Sequence, residues 1–131
     1  MIVVDTNVII YLLLNSDLTD LAEKVRRRDQ QWCAPMLWCS EFRNVLMGYF
    51  RRGSISLPDF ILLSELADTK VESRQVDGAR VIELAADSGC TAYDCEFVSL
   101  AERLGVPLVT SDKKLLAAFP DFAVSMEAFV A

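Results

Sequence analysis

The chain contains no histidine, and its four cysteines, Cys33, Cys39, Cys90 and Cys95, stand at spacings that match no zinc pattern. Without C-x-x-C pairs or imidazole ligands, a thiolate metal centre is not expected. The cysteines read instead as small buried hydrophobes of a reducing compartment. The lack of histidine also removes the commonest general base and the usual Ser/His and Cys/His nucleophile pairs. Any chemistry falls to carboxylates, hydroxyls, lysine or a metal.

Long apolar runs are absent too. The greasy stretch from Met1 to Leu14 is shorter than the roughly 20 residues a spanning helix requires. It does not read as a secretory signal either: it has no basic leading region, carries Asp5 inside it and lacks a small-residue cleavage site. A cytoplasmic protein without membrane association is the expectation. No linker, repeat or low-complexity segment interrupts residues 1–131, which therefore read as one domain. With 53% hydrophobic and 24% charged residues, the chain has the composition of a core-forming globular protein rather than a disordered one. Basic charge is in deficit, 13 residues against 19 acidic, for a formal charge of −6. That balance excludes an all-over basic nucleic-acid surface but not local basic patches. A site that gathers several carboxylates would itself account for much of the excess.

Strands alternate with helices along the chain. Apolar, β-branched Met1–Val4 predicts a buried strand ending at Asp5, and Val106–Val109 a second one. Weaker strands are read at Gln31–Ala34, at Val71–Val76 on an edge, and at Phe122–Ser125. Helices are predicted over Asn7–Leu14, Thr19–Arg28, Met36–Arg52, Ser56–Thr69, Asp77–Ser88, Thr91–Leu104 and Asp112–Phe119. Gly53, Gly89 and Gly105 stop three of them, and Pro35 reads as part of a first helical turn. The triplet Arg26, Arg27 and Arg28 complements a helix dipole at its carboxyl end. This alternation predicts an α/β fold with a parallel sheet flanked by helices.

The informative acidic residues are those that break the apolar pattern. Asp94 lies three residues before Phe97, on the stripe formed by Phe97, Leu100, Ala101 and Leu104. Glu41 shares a helix row with Leu37 and Val45, which puts it on the inward side of its helix. MIVVD sets Asp5 at the carboxyl end of one strand, and PLVTSD sets Asp112 just past another. Ligands of open parallel sheets bind beyond those strand ends. Each residue also has a purely structural reading: Asp94 completing a capping box with Thr91, Asp112 opening a helix, Glu41 pairing with an arginine. Together they point further, because four ionised carboxylates share a pocket only with a cation. Oxygen ligands alone favour a hard ion such as Mg²⁺ or Mn²⁺, which can activate water and clamp a phosphate.

The strand ending Asp5-Thr6-Asn7, Glu41 within CSEFRNVL, and the block TAYDCEFVSLAERLGVPLVTSDKKL from Thr91 to Leu115 resemble the PIN-domain ribonucleases. Size and order resemble in particular the VapC toxins of type II toxin–antitoxin systems, over nearly the whole chain. The resemblance implies a parallel sheet of about five strands and a metal quartet of Asp5, Glu41, Asp94 and Asp112 holding one or two Mg²⁺ or Mn²⁺ ions. It implies supporting roles for Thr6, Asn7 and Thr110, hydrolysis of RNA by metal-activated water, a homodimer and a protein antitoxin. Some relatives carry another acid after the last aspartate; here Lys113 and Lys114 follow, and Glu96 is the candidate for outer support.

Two other readings compete. One is a catalytically silent PIN-fold interaction module. The other is a haloacid-dehalogenase-like phosphatase, which needs a carboxylate where this chain has Asn7. RNA approaching a negative pocket calls for cations at its rim, and Arg43, Arg51, Arg52, Lys113 and Lys114 are the candidates. Met36, Trp38, Phe42, Met47, Tyr49, Phe50, Phe60, Ile61 and Leu62 form an apolar surplus, available to the core or to a partner.

Overall fold

In the computed structural model, which describes residues 1–131, the β-branched opening forms strand β1 (Ile2–Val4) with all three side chains buried. A strand covered on both faces needs such an unbroken apolar run. Asp5 ends it and caps helix α1 (Thr6–Leu13), so the helix begins one residue before the expected Asn7. Helix α2 (Thr19–Arg28) returns the chain to β2 (Trp32–Pro35), also fully buried. Two helices follow, α3 (Leu37–Arg51) and α4 (Leu57–Lys70), before β3 (Val71–Arg74). Helices α5 (Gly78–Ser88) and α6 (Ala92–Leu104) each close on a glycine in the left-handed region, Gly89 at φ 72° and Gly105 at φ 65°, where a side chain would be strained. Strand β4 (Leu108–Val109), α7 (Lys113–Ala118), β5 (Ala123–Val124) and α8 (Met126–Val130) complete the chain.

The five strands form one all-parallel sheet in the order β3-β2-β1-β4-β5. The chain runs outward from β1 to β2 and β3, then resumes on the other side with β4. The direction of winding therefore reverses between β1 and β4, the place where such sheets open a crevice. β3 lies on the edge, as expected. No helix is long and apolar enough to cross a membrane.

Three sequence expectations shift. Pro35 ends β2, opposite Arg74, instead of entering α3. The Met36 amide bonds to Arg74 O on the β3 side, so the N–H that proline lacks would have faced β1, which has already ended. In α3 the buried row is Trp38, Phe42 and Leu46, while Val45 is 36% exposed. Glu41 therefore sits on the shoulder of the buried face, one helical position from where its row with Leu37 and Val45 suggested. Helix α8 was not anticipated; Ser125 caps it by accepting the Ala128 amide.

The apolar surplus divides. Trp38, Phe42 and Phe60 join the core, where the Trp38 and Phe42 rings meet edge-on at 5.8 Å. Met47, Tyr49 and Phe50 are half-buried. Met36, Ile61 and Leu62 remain exposed. All four cysteines are free thiols, three of them buried and Cys39 partly so.

Candidate active site

The crevice between β1 and β4 holds Asp5 and Asp112, and Glu41 and Asp94 approach it from α3 and α6. Asp5 arrives at the end of β1, and its Oδ1 accepts the Thr6 amide at 2.8 Å, which caps α1. Its Oδ2 accepts the Thr110 hydroxyl at 2.7 Å, from the residue that follows β4. Thr110 is completely buried, and its Oγ1 in turn accepts the Asp112 amide at 3.0 Å. One hydroxyl thus ties the two strand ends together across 105 residues of chain.

Asp112 is the cap of α7, with Oδ1 accepting the amides of Lys114 at 2.8 Å and Leu115 at 3.3 Å. Thr6, buried beneath α3, donates its hydroxyl to Glu41 Oε1 at 2.8 Å. From its shoulder on α3 Glu41 therefore still reaches the end of β1. Asp94 stands in the first turn of α6, which Thr91 caps by accepting the Asp94 amide at 3.0 Å. That is the capping-box position read from the sequence, so the structural and the site readings of Asp94 coexist.

Electrostatics mark Asp5 as the costly member. Its pKa is raised to about 6: burial drives the rise, the Thr110 and Thr6 bonds oppose it, and the charges of Glu41 and Asp94 add a smaller push upward. Burial also raises the Glu41 pKa; its Thr6 bond opposes the rise, and Asp94 and Glu96 add to it. Glu96 is raised by burial alone. Ionising these groups together is unfavourable without a cation. No three of them are drawn close enough to form a ready-made metal cage. Their chemistry nevertheless fits a hard divalent ion: every donor is a carboxylate oxygen, and a cation offsets the cost that burial and neighbouring charge place on ionising Asp5 and Glu41.

The remaining candidates are distributed around this centre. Asn7 is exposed on the first turn of α1. Lys113 and Lys114 are exposed at the start of α7 beside Asp112, and Lys114 Nζ donates to Gly89 O at 2.9 Å. Arg43 lines a groove between α3 and α4 with Met47, Phe60 and Ser64. Arg51 and Arg52 lie at the far end of α3, about 15 Å along the helix from Glu41 at 1.5 Å per residue. Arg52 stacks over Tyr49 at 4.8 Å. The Thr6–Glu41 bond spans 35 residues and has no local signature in the sequence.

Residues 2–120 match the PIN domain family. Ribonuclease VapC3 of Pyrobaculum aerophilum is 31% identical over 124 residues, covering 91% of this chain and 95% of that protein. Two solved structures share the fold. The crystal structure of PAE2754 from Pyrobaculum aerophilum superimposes with a TM-score of 0.79 at 22% identity, over 98% of this chain and 92% of the other. A toxin–antitoxin complex from Klebsiella pneumoniae gives 0.73 at 16% identity, over 96% and 98%. A match across most of the length, on a five-stranded parallel sheet whose switch point holds Asp5 and Asp112, settles the affiliation: the chain belongs to the PIN-domain family.

Proposed function

We propose that the chain is an endoribonuclease that hydrolyses RNA phosphodiesters with Mg²⁺ or Mn²⁺ held by Asp5, Glu41, Asp94 and Asp112. The same reading makes it the toxin of a toxin–antitoxin pair, acting in the cytoplasm as a homodimer with a protein antitoxin. The observation that carries it is the hydrogen-bonded linkage at the β1/β4 crevice, where Thr110 joins Asp5 to the Asp112 amide and Thr6 joins the end of β1 to Glu41, around an aspartate whose ionisation burial opposes. The relative named as a ribonuclease supports the substrate class, and the neighbour solved as a toxin–antitoxin complex supports the partner.

When bound, the ion supplies Lewis acidity, activating water and offsetting charge that builds on the phosphate. The chain's own residues prepare the place. Thr110 and the Thr6 amide hold one oxygen each of Asp5, which fixes the plane of its carboxylate. The Thr6 hydroxyl holds Glu41 against the same strand end. The α7 amides occupy Oδ1 of Asp112 and leave Oδ2 free. Thr6 and Thr110 act through these carboxylates and are positioning residues, while Lys113 and Lys114 offer cations to the approaching backbone. Exposed Met36, Ile61, Leu62 and Leu66 offer apolar surface for a second subunit or the antitoxin.

Incubating the purified chain with labelled single-stranded RNA tests the proposal. Cleavage should require Mg²⁺ or Mn²⁺, stop with chelator, and fall on the order of 100-fold or more in Asp5→Asn and Asp94→Asn, the scale of a lost transition-state charge contact. RNA left intact under every metal condition would leave the silent interaction module as the better reading.

A further inference from the structure

Of the twelve aromatic residues in the chain, Tyr93 alone is exposed. The others are buried or half-buried, and the remaining large exposed hydrophobics are aliphatic. Tyr93 is 64% exposed, and it stands immediately before Asp94 in the first turn of α6. Its ring contributes little to the core, and its hydroxyl makes no hydrogen bond within the chain. The backbone that carries the ring is fixed, because Thr91 caps the helix and Lys114 bonds Gly89 O two residues before that cap. Lys114 thereby brings its ammonium group to the same rim. The Tyr93 ring, the Lys114 ammonium and the Asp94 carboxylate thus stand within one turn of helix and its adjoining loop. Single-stranded nucleic acid is bound by this combination: a base on the ring, a phosphate near the cation.

We infer that Tyr93 is a base-stacking platform, a positioning residue that seats an unpaired nucleotide of RNA beside the scissile phosphate. The inference rests on the ribonuclease reading and adds the contact that places the substrate. Stacking is tolerant of base identity, so Tyr93 favours unpaired over paired RNA rather than one sequence over another. A contact made equally in the ground and transition states changes KM and leaves kcat alone.

The test compares wild type, Tyr93→Phe and Tyr93→Ala on a short labelled single-stranded RNA with Mn²⁺. Tyr93→Ala should raise KM by roughly 5- to 150-fold with kcat within about threefold, the range expected for one stacked base. Tyr93→Phe should stay close to wild type, because the ring carries the contact. Replacing nucleotides one at a time by abasic sites should identify one position at which wild type and Tyr93→Ala become equal. The salt dependence of binding should not change, since no charge is removed. An unchanged KM in Tyr93→Ala would overturn the inference, as would a loss of kcat shared by Tyr93→Phe. A shift in sedimentation of Tyr93→Ala would also overturn it, by assigning the ring to contact between copies of the chain. Failure of wild type to cleave any RNA would instead remove the ribonuclease reading beneath it.

Discussion

The ends of β1 and β4 lie side by side and are built alike: an apolar strand, then an aspartate that caps the following helix. They differ in what surrounds the carboxylate. Asp112 accepts two amides at the start of α7, one of its oxygens satisfied by the helix it opens. Asp5 also caps its helix, but burial and, to a smaller extent, the charges of Glu41 on α3 and Asp94 on α6 oppose its ionisation. The same local sequence logic therefore gives one aspartate that stabilises the fold and one that costs it stability. The cost is concentrated where the chemistry is proposed, as expected when a site is assembled at the expense of stability.

Substitutions can separate the two ends. The largest effect is expected at Asp5 in metal-free protein. Its folded pKa of about 6 lies above the ordinary 3.8, so the native state holds its proton more tightly than the unfolded chain. The stability this supplies is complete below pH 3.8 and is lost as pH rises through about 6. At pH 8 Asp5→Asn should therefore be more stable than wild type by up to about 3 kcal/mol, at 1.36 kcal/mol per pKa unit. Urea melts at pH 8 and pH 4.5 check this: the advantage should shrink at the lower pH, and a variant that is destabilised at both would contradict it.

Thr110→Val is next, because that hydroxyl serves both ends. Removing it leaves the part-buried Asp5 Oδ2 and the Asp112 amide without their partner, a loss of about 1–3 kcal/mol. The Asp5 pKa should rise further, since a bond that lowers it is gone. Carboxyl chemical shifts followed by NMR against pH would register that rise. The smallest effect is expected at Asp112→Ala, a helix cap worth about 1 kcal/mol. Its sign is opposite to that of Asp5→Asn at pH 8, and equal signs in the two melts would break the comparison.

Much of this contrast was legible in the sequence. MIVVD and PLVTSD each show an apolar strand interrupted by an aspartate, and the rule for parallel sheets puts both at the crevice. What the sequence could not separate was the helix face of Glu41. The rows Leu37–Glu41–Val45 and Trp38–Phe42–Leu46 are neighbours on one helix, and a wide apolar stripe accommodates either. Packing chose the bulkier row for the core and left Glu41 on its shoulder. The strand order and the Thr6–Glu41 bond depend on contacts between distant residues, so no local pattern carries them. Pro35 is ambiguous in the sequence because its φ suits a strand end, where the fold puts it, as well as a first helical turn. Helix α8, only five residues long, was too short to show a period.

The central claim is that a divalent ion offsets the burial, and the smaller charge repulsion, that oppose ionisation of Asp5. Calorimetric titration of Mn²⁺ into metal-free protein at pH 6, repeated in two buffers of different ionisation enthalpy, measures both the affinity and the protons released. With Asp5 near half-protonated at that pH, binding should release a substantial fraction of a proton, and Asp5→Asn should lose that release and weaken the affinity. Mn²⁺ that fails to bind, or binds Asp5→Asn as tightly and with the same proton count as wild type, would contradict the account.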